Sequence, residues 1–410
     1  MKKQFSVGID IGSTKIVTVV SNLQEGIVDI VGIGLAPTSG VRKGVVTDIE
    51  ETVSSISASL EEAERMSGIP ITEANISING AQISSDVSHG IIAVSRADGE
   101  IAESDVERVV EAARSVNIPP NREIIHSIPR TFSVDGQTGI SDPIGMSGIR
   151  LEVDTIVISS AANPLKNLLK CLNQAGIAPQ ELVFAPLAAA KIAVSKRQKE
   201  IGVVLIDIGS SNTNFVVFEE GDIMHTGVIP IGASYVTNDI AIGLRTNIDV
   251  AERIKIEQGL ALAELVPEDK EMNLKSFGAD GDEKASIKYV SEIIEARMNE
   301  IFLMIRDELR KINRDAMLPA GVVLVGGGAK QKGIIELAKE TLHLPAQIGK
   351  PTQEMTGMVD NIDDPGYAAG IGLSLWSLEA KNDRRGIGNA SRKVGNIIDR
   401  AKGIFKNFVP

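Results

Sequence analysis

Val7-Gly8-Ile9-Asp10-Ile11-Gly12-Ser13-Thr14-Lys15 comes back almost unchanged as Leu205-Ile206-Asp207-Ile208-Gly209-Ser210-Ser211-Asn212-Thr213. Each stretch is an apolar, strand-like run closed by Asp, then Gly and small hydroxyl residues. A second β-branched run follows, Ile16 to Val20 in the first copy and Phe215 to Phe218 in the second. That order predicts a β-hairpin whose turn presents backbone N–H groups and hydroxyls to an anion. An Asp at the end of a buried strand is poorly suited to core packing and well placed to hold a hydrated metal ion. Two copies imply two similar lobes facing one phosphate chain.

A third stretch belongs with these two. Gly321-Val322-Val323-Leu324-Val325-Gly326-Gly327-Gly328-Ala329 reads as a buried strand that ends in a glycine turn and opens a helix at Lys332. One Asp-X-Gly-Ser turn alone closes any hairpin, and Lys15 alone reads as a solvated strand residue. Duplication in matching contexts, with the glycine turn added, favours a split nucleotide site over three unrelated turns. In that reading Gly12, Ser13 and Thr14 hold the β-phosphate, and Gly209, Ser210 and Thr213 hold the γ-phosphate, with Asn212 in the same turn. Asp10 and Asp207 orient Mg2+ through waters, and Lys15 offers a point charge to the phosphates. Gly326, Gly327 and Gly328 let the backbone approach the adenosine where a side chain would collide.

Length and charge frame this site. A chain of 410 residues exceeds what one core usually supports, so two main lobes with inserted subdomains are expected. A net charge of −12 argues against general nucleic-acid binding, because there is no basic surplus to displace phosphate counterions. One cysteine, Cys171, cannot form an internal disulfide and fits a reducing cytoplasm. No stretch approaches the ~20 apolar residues of a membrane span. The four histidines, His89, His126, His225 and His343, sit in no metal-ligand spacing and read as surface or hydrogen-bonded core residues. No Ser-His-Asp ordering or cysteine nucleophile is evident, so any chemistry is phosphoryl transfer.

Periodicity divides the chain. Residues 1–80 form the first part of one lobe, with strands over Phe5–Ile9, Ile16–Ser21, Val28–Ala36 and Ala74–Ile78 and a helix from Asp48 to Arg65. Residues 81–160 break the rhythm and read as a small inserted α+β module, its helix Asp105–Ser115 capped by Ser104. Residues 161–200 return to the first lobe through helices over Pro164–Ala175 and Ala185–Ser195. The second lobe opens over 201–245, carries a small subdomain over 246–304, and runs on with the return to the first lobe over 305–380. Acidic residues 264–284 read as a polar excursion before a long helix from Ser286 to Asn313.

The end of the chain reverses the charge. Eight basic and two acidic residues from Lys381 onward give +6, which leaves −18 on the first 380 residues. Residues 381–393 read as a flexible tether and 394–410 as an amphipathic helix. Ile397, Ile398, Ile404, Phe405 and Phe408 share its apolar face, and Arg400, Lys402 and Lys406 fall mostly opposite. A basic polar face on an acidic protein fits an anionic lipid surface better than packing on the body or docking in a partner's groove.

These residues resemble a known family. The hairpins and glycine turn look like the actin/Hsp70/sugar-kinase ATPase superfamily. The stretches His126-Ser127-Ile128-Pro129, Val134-Asp135-Gly136-Gln137, Asp142-Pro143-Ile144-Gly145-Met146 and Gly148-Ile149-Arg150-Leu151-Glu152 resemble the inserted subdomain of the FtsA family, bacterial actin-like cell-division proteins. The resemblance covers essentially the whole chain. It implies an α/β, actin-like, two-lobed nucleotide-binding fold with an inserted α+β subdomain and a C-terminal amphipathic helix. It further implies an ATP- and Mg2+-binding, filament-forming adaptor that tethers the tail of FtsZ to the cytoplasmic face of the plasma membrane at the division site. Other division proteins would dock on the insert. Arg297 is the match to the family's FtsZ-docking helix, and Glu252 and Lys255 match adenosine and ribose contacts of actin-like relatives.

Two departures bear on activity. Many bacterial actins have Glu before the Pro-X-Ala-Ala segment, where it positions the attacking water, and here Ala185 precedes Pro186. The second hairpin has Asn212 and Asn214 where related ATPases often place Gly and Asp. Binding carried by backbone groups survives both changes, whereas hydrolysis needs an oriented water, so weak or negligible ATPase turnover is expected. A small-molecule kinase on the same fold and a pilus-assembly actin homologue are the alternative readings.

Overall fold

The structure is a computed structural model, and it describes residues 5–24, 27–95, 98–115, 119–357 and 363–382. The tether and the membrane-helix residues Ile397, Ile398, Arg400, Lys402, Ile404, Phe405, Lys406 and Phe408 lie outside the described residues. The chain forms two compact units, a larger one of Met1–Ser84 with Ser160–Trp376 and a smaller one that includes Ser85–Ser159.

The larger unit starts with β1 (Phe5–Ile11), β2 (Lys15–Gln24) and β3 (Ile27–Pro37), a small hairpin β4 (Val41–Arg42) and β5 (Val45–Val46), helix α1 (Ile49–Ser67) and β6 (Glu73–Ile78). Asp48 caps α1 through its carboxylate, 3.0 Å from the Glu51 N–H, as an acidic N-cap should. The smaller unit contains β7 (Ile83–Ala93), α2 (Glu103–Ser115), β8 (Arg122–Val134), β9 (Gln137–Ile140) and β10 (Arg150–Ala161), with sheet order β7-β10-β8-β9. One sheet face and α2 close over Val109, Val110, Phe132, Leu151 and Val153, all buried.

Back in the larger unit, α3 (Ala162–Gln174), β11 (Ala178–Phe184), α4 (Ala185–Ala193) and α5 (Lys196–Ile201) finish the first lobe's run. The second lobe follows with β12 (Val203–Ile208), β13 (Thr213–Glu219), β14 (Asp222–Ile229), α6 (Ala233–Leu244) and α7 (Ile248–Glu257). It continues through β15 (Glu271–Asn273), β16 (Lys284–Ser286), α8 (Ile287–Lys311), β17 (Val322–Val325), α9 (Ile334–Leu342) and β18 (Ala346–Ile348). Strand β19 (Met355–Gly357) returns to the first sheet, and α10 (Ala368–Asn382) follows it.

The sheets run β11-β6-β1-β2-β3-β19 and β14-β13-β12-β17-β18, each a three-stranded antiparallel meander flanked by parallel strands. Central strands buried on both faces need near-continuous apolar sequence, which Val203–Ile206 and Val322–Val325 supply at 0% exposure throughout.

Three expectations change. Helix α2 begins at Glu103, so Ser104 lies inside it, and the Asp105 carboxylate takes the Ala102 N–H at 3.0 Å instead. Residues 264–284 are not a plain excursion. They hold the β15–β16 pairing and bury Met272, Leu274 and Phe277, apolar residues too sparse to show a period. After β17 the glycine turn forms a 3-10 turn over Gly327–Lys330, and α9 starts only at Ile334 because Gly333, at φ +78°, interrupts the helix.

Candidate functional site

The two repeated stretches fold identically. In the first, the Gly12 N–H donates to the Lys15 carbonyl at 3.0 Å, and in the second the Gly209 N–H donates to the Asn212 carbonyl at 3.0 Å. Each turn therefore has four residues, which aligns Asp10 with Asp207 and Lys15 with Asn212. Asp10 pairs with Val17 across its hairpin and Asp207 with Asn214 across the other. Thr213 is the first ladder residue after its turn and not part of it. Its side chain is fully buried and its hydroxyl donates to the Ile231 carbonyl at 2.9 Å, so the expectation that Thr213 holds the γ-phosphate is corrected.

Neighbouring elements fix the two turns. The Ser13 hydroxyl accepts the Gly44 N–H at 3.0 Å, from the tip of the β4–β5 hairpin. Ala233 and Ser234 at the start of α6 donate their N–H groups to the Gly209 and Ser210 carbonyls at 2.9 and 2.8 Å. Turn carbonyls tied in this way face α6, which leaves the turn's N–H groups other than that of Gly209 as its polar offering.

Both carboxyls are held above their ordinary range. Burial, followed by the charge of Asp10, pushes the Asp207 carboxyl up to about 7 against a hydrogen bond from Asn214. Burial also raises Asp10, opposed by Ser77 and Lys15. Two half-buried carboxyls, both raised and one of them by the charge of the other, are a cation's address, since a positive charge favours their ionised forms. Lys15 feels the same surroundings: burial lowers its pKa, and Asp364, Asp10 and Asp207 act in the opposite direction.

Gly326 closes the site from the second lobe. It sits at φ +85°, and a Cβ there would stand 2.4 Å from Asp207 Oδ1, so only glycine fits. Nothing lies within 4 Å of where a Cβ on Gly327 would stand, leaving that backbone open to approach. Sequence reading missed the next contributor, the turn Asp364-Pro365-Gly366-Tyr367, whose Pro365 carbonyl accepts the Gly326 N–H at 2.9 Å. A Pro-Gly pair just ahead of an apolar helix was its visible signal.

Glu252 and Lys255 stand together on α7. Lys255, 8% exposed, donates to Glu252 Oε2 at 2.6 Å and to Thr237 Oγ1 of α6 at 2.9 Å. Arg297 on α8 forms a bidentate pair with Asp239 of α6, at 2.7 and 3.1 Å, and a further bond to Glu300 at 2.5 Å. Its guanidinium thus ties α8 to α6, a role that the sequence reading did not assign it.

Comparison with known proteins bears on this arrangement. The family model for Cell division protein FtsA matches residues 204–372, and that for the SHS2 domain inserted in FTSA matches residues 80–159. The chain is 39% identical to Cell division protein FtsA of Pseudomonas aeruginosa over 92% of its own length and 90% of that protein's. It is 38% identical to the namesake in Borreliella burgdorferi over 99% of both chains. The chain belongs to the FtsA family of cell division proteins. FtsA-family membership agrees with the folds of solved relatives. A chain of the PilM–PilN type IV pilus biogenesis complex superposes with a TM-score of 0.67 at 17% identity, covering 90% of this chain and 97% of that one. MreB5 of Spiroplasma citri bound to ADP gives 0.56 at 12% identity, covering 93% and 99%. The FtsA-family chain therefore has the actin-like α/β fold with an SHS2 insert. Among its described residues no helix is long and apolar enough to cross a membrane.

Proposed function

We propose that this chain binds ATP with Mg2+ between its two hairpins, assembles into filaments, and tethers FtsZ to the cytoplasmic face of the plasma membrane at the division site through residues 394–410. The observation that carries the nucleotide half is Asp10 and Asp207 set before two turns closed by the same hydrogen bond, with the charges of Asp10 and Lys15 both acting on Asp207. Those groups fit the ligand. Asp10 and Asp207 would hold a hydrated Mg2+ ion through its waters, as two carboxylates commonly do. Mg2+ supplies charge neutralisation to the phosphates. Ser13 and Thr14, and Ser210 and Asn212, offer turn N–H groups and hydroxyls, while Gly12 and Gly209 close the turns where a Cβ would collide with the facing carbonyl. Gly326, Gly327 and Gly328 would let the backbone approach the adenosine, and Glu252 and Lys255 would make the adenosine and ribose contacts that their match to actin-like relatives implies.

Turnover is expected to be weak or negligible. Ala185 opens α4 at 1% exposure and has no group that orients a water. Purified protein with Mg2+-ATP should show kcat far below the 1–100 s−1 typical of kinases, and a kinase-like rate overturns this.

The FtsZ reading rests on family membership and on α6 and α8, which Arg297 ties together through Asp239 and which expose Ile242 (77%) and Tyr289 (45%). The deciding assay is co-sedimentation of the full chain with anionic liposomes, FtsZ tail peptide and ATP. Peptide recovered with lipid only when full-length chain is present supports the adaptor. Peptide left in the supernatant while the chain pellets rules out FtsZ tethering.

A further inference from the structure

Lys15 has an unusual set of neighbours for a half-buried ammonium. Its Nζ lies 4.4 Å from the centre of the Tyr367 ring and 2.8 Å from where a Cβ on Gly366 would stand. Asp364, two residues earlier, does not take Lys15 as its direct ion-pair partner. It bonds Lys330 Nζ at 2.7 Å and the Gly366 N–H at 2.8 Å. Lys330 ends the 3-10 turn that follows Gly326, and Pro365 accepts the Gly326 N–H. The turn Asp364–Tyr367 thus binds the glycine turn on one side and cradles Lys15 on the other.

The chemistry of that cradle differs from a salt bridge. A carboxylate would both neutralise an ammonium and consume its N–H donors. A ring face attracts the cation by its quadrupole and leaves the three donors available. We propose that Tyr367 and Lys330 are positioning residues that keep Lys15 free for the phosphate chain, the ring by holding its ammonium and Lys330 by occupying Asp364. The ordinary alternative is that this cluster only braces the turn. The two differ in what happens when Lys330 is removed. Under the proposal, Asp364 then captures Lys15, and the harm vanishes when Asp364 loses its charge as well.

The inference rests on the nucleotide reading above, and one titration separates their failures. Binding of a fluorescent ATP analogue, displaced by ATP or adenosine, is measured with Mg2+ on the wild type, K15A, Y367L, K15A/Y367L, Y367F, K330A and K330A/D364N. A wild type that binds no ATP sinks the nucleotide reading itself. With binding in hand, Y367L is expected to weaken ATP about two- to thirtyfold, the worth of one ammonium–ring contact. Y367F should stay near wild type, K330A should weaken ATP, and K330A/D364N should recover most of that loss. Adenosine, which has no phosphate, should be indifferent throughout. An unchanged Y367L, a Y367L loss that persists in a K15A background, or a double variant no better than K330A overturns the proposal. Should Y367L not fold, the Lys15 ε-methylene proton shift, assigned by its disappearance in K15R, decides the ring contact in the wild type. An upfield ring-current shift supports the cradle, and an ordinary lysine shift refutes it.

Discussion

Asp207 carries a proton near neutrality because burial and the facing charge of Asp10 both disfavour its ionised form, raising its pKa from 3.8 to about 7. Between those values the folded chain keeps a proton that the unfolded chain has lost. Stability from this group therefore falls as pH rises from about 4 to about 7, and the loss is complete above 7. D207N removes the burden. In the absence of Mg2+ and nucleotide, its melting temperature at pH 8 should exceed the wild type's by a few degrees, with the advantage shrinking towards pH 5, and it should lose Mg2+-dependent ATP binding. Calorimetric melts at both pH values check this, and a variant less stable than wild type at pH 8 contradicts it. His89 shows the opposite sign. Its ring bonds Asp154 at 2.8 Å and Glu152 at 3.0 Å, and the Asp154 bond leads in raising its pKa above 6.5. Its contribution is full below 6.5 and lost as pH rises through the folded value. H89Q should accordingly lower the smaller unit's stability at pH 5.5 and hardly at pH 8.5, read by hydrogen exchange of β7 and β10 amides. Equal protection loss at both pH values would refute the charged clamp. Both aspartates of the repeat were legible in sequence because a polar residue closing a buried strand has few bland explanations. Thr213 misled because turn length is set by the Gly209–Asn212 hydrogen bond, which spacing alone does not reveal.

Helix α10 crosses α4 with almost no side chain between them. A Cβ added to Gly372 would stand 1.8 Å from the Ala188 carbonyl oxygen, and Ala188, Ala189 and Ala190 are fully buried. Backbone contact of this kind cannot be relieved by a rotamer change. Gly372→Ala should cost about 1–3 kcal/mol, the usual range for overpacking a tight interior, measured by denaturant unfolding. An unchanged midpoint would mean that the helices separate freely. The alanine run of α4 signalled close approach in the sequence, but its partner did not, because Gly372 sits 184 positions away. The turn Asp364–Tyr367 went unread for a similar reason. Its importance comes from contacts with Lys15 and Gly326, which no local period encodes, whereas the hairpins and the long helix α8 are local patterns and could be read directly.

At the scale of the whole molecule, charge sets the conditions for membrane attachment. The first 380 residues carry −18 and the remainder +6, so an anionic lipid surface attracts one end of the chain and repels the rest. Basic residues near such a surface contribute about 1 kcal/mol each, and in the proposed attachment Phe405 and Phe408 would add apolar contact once the end is close. One such segment binds marginally. Binding by a filament differs in kind, because after the first segment lands, each later one binds at the effective concentration set by its neighbours. Attachment should therefore be steep in protein concentration wherever filaments form, and shallow where they do not. On vesicles of mixed neutral and anionic lipid, the full chain with ATP should show a sharp threshold that weakens as salt screens the basic residues. A chain truncated at Lys381 should stay in solution at every concentration, and vesicles without anionic lipid should retain little of the full chain. A truncated chain that still pellets with vesicles would place the lipid contact in the body, against its charge.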